Sequence, residues 1–281
     1  MTTILTALTD DFMYLLSDRR LTDMSTGIPD ERSNATKSIL FHDSIILGFT
    51  GSAQLPDARG RPVPTAEWLG ERIRERRASE VIETLRQALT DTYTSRLAQF
   101  HPNSRRLDVI AAVWGQRPDR VFAPVCFTIS NAADPSFQSF SVAKQGRTQR
   151  GTLAWSTHGV EFDLPAALRL DRALREIRRH CAGSPLTITQ TLVSVFRGFA
   201  RTQRFVSEDV LVTMLPRPTE AATSFGIVGG GPQAGMPSAF FVPASQPIGR
   251  AIQHFPVVVL PGGGFVAEMS VSYNADPPRR L

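Results

Sequence analysis

Residues 1–20, MTTILTALTDDFMYLLSDRR, decide how the rest of the chain is read. Two short runs rich in Ile, Leu, Thr, Phe and Tyr, 3–9 and 12–18, flank Asp10 and Asp11, which is the pattern of a β-hairpin. Antiparallel partners then sum to about 21 for a two-residue turn, or about 20 for a three-residue one, and Thr2 falls opposite Arg19 or Asp18. Chain termini are poorly ordered unless something ties them down, yet here the structure begins directly behind the initiator methionine. A second hairpin follows, KSILF and SIILGFTGS around His42 and Asp43. The same arithmetic places Lys37 across from about Gly48, with GFTGS beside it.

Composition bounds the alternatives. The chain has 281 residues, 42% hydrophobic and 20% charged, an ordinary globular balance with enough apolar material for a sizeable core. No run of about 18 apolar residues offers a membrane helix, and the N-terminus lacks the basic region, apolar stretch and cleavage site of a secretory signal. The expectation is a cytoplasmic protein with no membrane association. Cys126 and Cys181 are too few for a disulfide framework or a zinc site and are expected to be small buried side chains. The histidines His42, His101, His158, His180 and His254 show no metal-ligand spacing and read as structural. No metal or organic cofactor is implied.

The net charge of +5 and pI near 9.8 raise the question of nucleic acid. The basic residues are interleaved with acids, as in ERIRERRASE and RLDRALREIRRH, which is the pattern of solvated helix faces and disfavours a nucleic-acid surface. Of the 31 basic residues only Lys37 and Lys144 are lysines. Arginine keeps its proton in a protein, whereas a crowded or buried lysine has a pKa that can be moved. A lysine at position 37 therefore asks for a chemical reason.

Further along, QLPDARGRPVP reads as a loop, and two helices in series span roughly 65–100, with Thr65 and Ser79 as cap candidates. LDVIAAVWG, APVCFTIS and FQSFSVAKQG read as three strands within 107–144. After WSTHG, Leu170, Leu174, Ile177 and Cys181 fall on one helix face; GSP at 183–185 ends that helix, and Leu192, Phe196 and Phe199 mark the next. A strand returns at 209–215. From 216 the chain is Pro- and Gly-rich, with strand-like islands at SFGIVGG, SAFFVP, FPVVVLP and FVAEMSVSY. Segregated runs of strands and helices argue for a layered α+β sandwich rather than a doubly wound parallel sheet. The expected organisation is one domain over 1–215 and a β-containing extension over 216–281 packed on it. The glycine runs GIVGGG and LPGGGF lack the strand-to-helix context of a phosphate loop and read as turns.

A hydroxyl nucleophile needs a base, and a terminal α-amine with a pKa of about 7.7–8.0 can supply it. Methionine before a small residue is readily removed, which would make Thr2 the first residue. Lys37 would then be the neighbouring cation that depresses the amine and hydroxyl pKa, Asp18 would orient Lys37, and Gly51 would offer a backbone N–H to an oxyanion.

MTTILTA, LLSDRRLT, NATKSILF and IILGFTGSAQ together resemble the first fifty or so residues of proteasome β-subunits and their bacterial relatives, the N-terminal-nucleophile hydrolases. The resemblance covers residues 2–53 well and the remainder to about 215 in outline. It implies a four-layer αββα sandwich and a threonine-type peptidase or amidohydrolase. Thr2 would be nucleophile and base, Asp18 and Lys37 the charge pair, and Gly51 the oxyanion donor. Arg20 would be a structural support, Thr22 a contact to the substrate backbone and Ala53 a wall of the cleft. Ser156, Ser207 and Asp209 are the candidates for the groups that hold the terminal amine. The resemblance also implies a peptide or other amide substrate and a homo-oligomer, with a ring as one form. The alternative is a non-catalytic scaffold or interaction subunit that retains Met1.

Overall fold

A computed structural model describes residues 2–22, 29–34, 36–42, 44–116, 122–147, 154–180, 185–218, 238–242, 252–255, 257–259, 265–266 and 269–271. The elements begin with strands β1 (Thr3–Leu8), β2 (Phe12–Asp18), β3 (Arg20–Thr22), β4 (Pro29–Asn34), β5 (Ser38–Phe41), β6 (Ile45–Gly51), β7 (Gln54–Pro56) and β8 (Pro62–Pro64). Helices α1 (Thr65–Ile73) and α2 (Val81–Arg96) precede strands β9 (Leu107–Gln116), β10 (Phe122–Ser130), β11 (Ser141–Arg147) and β12 (Ala154–Gly159). Helices α3 (Leu164–His180) and α4 (Pro185–Ala200) lead to β13 (Val210–Pro216). Strands β14 (Ser238–Val242), β15 (Ile252–Phe255), β16 (Val257–Val259), β17 (Phe265–Val266) and β18 (Met269–Val271) complete the described chain.

The first hairpin takes the two-residue turn. Ile4 pairs with Ser17 and Leu8 with Met13, so partners sum to 21. Thr9 closes the turn: its hydroxyl accepts from the Phe12 and Asp11 amides at 2.7 and 3.2 Å, and the Thr9 amide donates to the Phe12 carbonyl at 2.8 Å. The second hairpin is one residue longer than the sequence reading allowed. Phe41 pairs with Ile45 and Ser38 with Gly48, so Lys37 stands one step further on, its carbonyl accepting from the Phe49 amide at 3.3 Å. His42, with φ of 51°, supplies the left-handed residue that such a turn requires.

Among the described residues two seven-stranded sheets result, ordered β12-β1-β2-β13-β14-β15-β18 and β11-β10-β9-β6-β5-β16-β17, beside the short pairs β3–β4 and β7–β8. The strand pairings are antiparallel apart from the parallel β5–β16. The fold is therefore mixed α/β, with several antiparallel sheets and four α-helices among the described residues. All six residues of β1 are buried, because a central strand is covered on both faces. Three apolar clusters account for this. Ile4, Leu8, Met13 and Leu15 of the first sheet meet Leu40, Ile46, Ile110 and Cys126 of the second. Leu5, Tyr14 and Leu16 pack against Leu170, Leu174, Leu192, Phe196 and Phe199 of α3 and α4. Ile39, Leu47 and Val109 pack against Trp68, Leu69, Leu85 and Leu89 of α1 and α2. Each fully buried large side chain in these layers contributes about 1.5–3 kcal/mol.

Several local expectations change. Thr65 does not cap α1; its hydroxyl donates to the Ser52 carbonyl at 2.8 Å, and the cap residue is Pro64. Ser79 lies inside a 3₁₀ turn, Ala78–Glu80, and Val81 opens α2. The region read only as a Pro/Gly/Arg loop contains the short pair β7–β8, because Asp57 accepts the Arg59 and Arg61 amides, both at 2.8 Å, and folds the connection back. FQSFSVAKQG becomes strand only from Ser141; Asp134 gathers the amides of Ser136, Gln138 and Ser139 and holds 136–139 as a turn. Pro185 starts α4, a position that suits its fixed φ and missing N–H. WSTHG is a full strand, β12, on the edge of the first sheet beside β1. The tail strands are shared between the sheets: β14, β15 and β18 extend one, β16 and β17 the other. SFGIVGG and Cys181 lie outside the described residues. No helix among the described residues is long and apolar enough to cross a membrane.

Cys126 is buried between the sheets, and burial pushes its thiol up to about 12 against the pull of the Thr6 and Ser156 hydroxyls. In a Cys181→Ser protein, Ellman's reagent at pH 8 should find no reactive thiol in the native state and one after unfolding in guanidinium; native labelling of Cys126 would contradict this packing.

Candidate functional site

The site forms where β1, β2 and the lead into β5 come together. Extending the β1–β2 register by one and two steps sets Thr3 beside Asp18 and Thr2 beside Arg19. Thr2 is buried. The amide of Thr3 donates to Asp18 Oδ1 at 3.1 Å. Lys37 Nζ reaches both carboxylate oxygens of Asp18 at 3.2 Å and the Arg20 carbonyl at 2.6 Å. The ammonium thus has three acceptors and the carboxylate has donors on two sides, which is the condition for keeping an ion pair in a dry interior. Asp18 and Lys37 side chains are 0% and 3% exposed.

Burial dominates the electrostatics of both groups. It raises the pKa of Asp18 above the usual carboxylate range, opposed by Lys37 and by the Thr3 amide. It lowers Lys37 below the usual lysine value, opposed by Asp18, with the nearby charges of Arg19 and Arg20 adding to the depression. The lysine that stood out in an arginine-rich chain is the one whose proton the fold makes easier to remove.

The other side of Thr2 is held by the end of β12. The Thr2 carbonyl accepts from the Val160 amide at 3.0 Å, and the Thr3 hydroxyl donates to the Val160 carbonyl at 3.0 Å. Gly159 makes this approach possible: its φ is 82°, and a Cβ there would lie 1.9 Å from the Thr2 carbonyl oxygen. Gly51 is the second constrained position. Its φ is 109°, a Cβ would lie 2.1 Å from the Arg106 carbonyl oxygen, and the residue is exposed at the end of β6. Beneath it the Asp108 carboxylate accepts from Thr50 Oγ1 at 3.5 Å, from Arg106 Nη2 at 3.3 Å and from the Ser130 hydroxyl.

The remaining sequence candidates divide. Arg20 touches Lys37 through its carbonyl, while its guanidinium donates to the Arg204 carbonyl at 3.2 Å. Ala53 follows Gly51 and receives the Thr65 amide at 3.0 Å. Thr22 pairs through its backbone with Pro29. Ser207 and Asp209 form a local turn, the Asp209 amide donating to the Ser207 hydroxyl at 3.1 Å, just before Val210 pairs with Asp18. Ser156 is placed elsewhere. It stands opposite Thr6, four residues along β1 from Thr2 or about 13 Å at strand spacing, with its hydroxyl 2.6 Å from Thr6 Oγ1. Thr3, Gly159 and Val160 touch this centre and were not singled out from the sequence. The one signal for them was a glycine closing WSTHG.

Among the described residues no three His, Cys, Asp or Glu side chains are grouped to hold a metal ion. A surface concavity of about 300 Å³ on α3, lined by Leu168, Arg172, Arg175 and Glu176, includes none of the site residues.

No protein-family model and no curated protein matches the chain. Solved structures do. The chain is similar to Anbu (ancestral beta-subunit) from Yersinia bercovieri at 13% identity, covering 77% of this chain and 82% of that one with a TM-score of 0.47. It is similar to eukaryotic HslV from Trypanosoma brucei at 17% identity, 76% and 99% coverage and a TM-score of 0.43. A Gly-1 mutant of Anbu from Hyphomicrobium sp. strain MC1 matches at 10% identity, 77% and 82% coverage and a TM-score of 0.49. At these values no residue role transfers, and the site stands on its own geometry.

Removing the ammonium while leaving the carboxylate should expose the cost of the pair. Lys37→Ala is expected to lose about 3–5 kcal/mol at neutral pH in urea unfolding. The folded-state pKa of Asp18 lies above its unfolded value, so the variant should regain stability as pH falls through that value and lose it as pH rises. A variant whose stability falls toward acid would contradict the assignment. Gly159→Ala should lose about 1–3 kcal/mol, because alanine has neither the φ nor the space.

Proposed function

We propose that this chain is an N-terminal threonine amidohydrolase that cleaves peptide bonds, acting after removal of Met1. The observation that carries the reading is the buried Lys37–Asp18 pair bonded to the Thr3 amide, one peptide from Thr2. A fully buried cation is costly, and a scaffold could fill the same volume with an apolar side chain. An ammonium with a depressed pKa beside a threonine that can become the terminus is suited to lowering the pKa of a neighbouring amine and hydroxyl.

In the proposed reaction the neutral α-amine of Thr2 takes the proton from its own hydroxyl as Oγ1 attacks the scissile carbonyl. The carbonyl π pair moves to oxygen, and the resulting oxyanion is met by the Gly51 N–H. Collapse of the tetrahedral adduct expels the amine, which takes the proton held by the α-ammonium, and leaves an ester on Thr2. Water activated by the same amine hydrolyses that ester and restores the hydroxyl. The Lys37 charge favours the neutral amine, Asp18 fixes Lys37, and the Thr3 and Val160 bonds fix the peptide that carries the nucleophile. Ala53 would wall the cleft beside Gly51, with Thr22 contacting the substrate backbone. Ser207 and Asp209, next to Asp18 across β2–β13, remain the better candidates for holding the amine, since Ser156 is remote. On this reading the three apolar clusters are the interlayers of a four-layer αββα sandwich, and the working form is a cytoplasmic homo-oligomer.

Intact mass should show loss of methionine, and a threonine-directed peptide epoxyketone should add one equivalent, at Thr2. Thr2→Ala should abolish both labelling and turnover of fluorogenic peptides, and Lys37→Ala should reduce turnover by at least about 10³-fold. Retention of Met1 with no labelling would leave the scaffold as the function of this fold.

A further inference from the structure

The layer between the sheets is largely apolar, but it carries polar side chains where Ser38 Oγ meets Thr213 Oγ1 at 3.0 Å and along the inward face of β12. His158 pairs with Ile4 and Ser156 with Thr6, and Ile4 belongs to the inter-sheet cluster, so the alternation of the strand turns both β12 side chains toward that layer. Ser156 Oγ lies 2.6 Å from Thr6 Oγ1 and 3.2 Å from His158 Nε2. The hydroxyl–hydroxyl–imidazole chain is buried at both ends, with Thr6 1% and His158 8% exposed. It runs along the β1–β12 seam and stops at the residue before Gly159.

Gly159 and Val160 are the residues that grip Thr2. Among the described residues β12 is the outermost strand of its sheet and pairs on one side with β1. The same seam approaches the floor under Gly51: a Cβ on Gly159 would lie 3.1 Å from Thr50 Cγ2, and Thr50 is bonded to Asp108. We propose that His158 is a positioning residue for Thr2, its neutral imidazole locking the end of β12 through Ser156 and Thr6, and that protonating it in acid loosens the Gly159–Val160 grip. This rests on the reading of Thr2 as the nucleophile.

The groups around the imidazole give the direction. Burial lowers the pKa of His158 below the usual histidine value; Asp108 on β9 and Glu161 just beyond β12 oppose it. Asp108 is already engaged by Arg106, Thr50 and Ser130. Cys126 on β10, within reach of Thr6 and Ser156, holds its proton across the physiological range. The neutral ring is therefore the resting form at pH 7, and an acid step converts it to a cation in a buried seam.

The test is a pH titration of ¹⁵N- and ¹³C-labelled protein followed by NMR, with turnover measured in parallel. The Val160 amide should shift with the same midpoint as the His158 ring, below the free value of about 6.5. In His158→Gln, which keeps a neutral partner for Ser156, the Val160 amide should lose that midpoint. A Val160 amide that ignores the His158 titration in wild type overturns the proposal, whether or not the protein is an enzyme. On turnover, His158→Ala should lower kcat by about 10- to 100-fold with KM within about twofold. His158→Gln should restore most of kcat and move the acid limb of the profile to lower pH. An unchanged acid limb in His158→Gln overturns the switch. Absence of turnover and of Thr2 labelling in wild type refutes the hydrolase reading and leaves the amide titration to decide the positioning role.

Discussion

One ion pair, Lys37–Asp18, organises the region around it. Two charges removed from water are sustained only if every hydrogen-bonding position is used, and here the carboxylate binds the Thr3 amide while the ammonium binds the Arg20 carbonyl. Those bonds tie three separate segments to one point: the beginning of β1, the end of β2 and the lead into β5. The start of β1 is held in a fixed relation to a titratable cation. The same requirement explains why position 37 is lysine in a chain that uses arginine almost everywhere else. A guanidinium is bulkier and does not give up its proton, whereas a lysine ammonium presents three donors around a point and responds to burial.

Backbone geometry complements that electrostatic anchor. Gly159 and Gly51 both have positive φ and both lie against a carbonyl oxygen that a Cβ would strike. At Gly159 the close approach lets β12 grip the Thr2 peptide. At Gly51 it turns the end of β6 outward over Arg106. Thr2, Lys37 and Gly51 thus lie at strand ends of two sheets, and strand ends in packed sheets are held more firmly than loops. The polar seam of Thr6, Ser156 and His158 extends this firmness along β1 into the apolar layer.

The hairpins were legible because alternation and turn length are local properties. Asp10 and Asp11 between two apolar runs admit few registers, and the side chain of Thr9 selects one of them. The second hairpin slipped by one residue because the extra turn residue depends on His42 adopting a left-handed conformation, which no local pattern around it announces. The cap assignment failed at Thr65 for a related reason: a hydroxyl in the right place can serve a distant carbonyl, as Thr65 serves Ser52, instead of its own helix; at Ser79 a 3₁₀ turn, Ala78–Glu80, takes up the residue ahead of α2.

The order of strands and helices, the apolar stripes of α3 and α4, and the singularity of Lys37 and Thr2 were determined by sequence, since each follows from periodicity or residue chemistry within a short window. The tertiary structure decided which partners those residues meet. It set Ser156 against Thr6 and away from Thr2, brought Gly159 and Val160 to the Thr2 peptide, and divided the tail strands between two sheets. These are contacts between segments up to about 220 residues apart in the chain, as where Val257 pairs with Ile39. They arise from how whole sheets stack and which edge each strand joins, and residue order along one segment does not encode that.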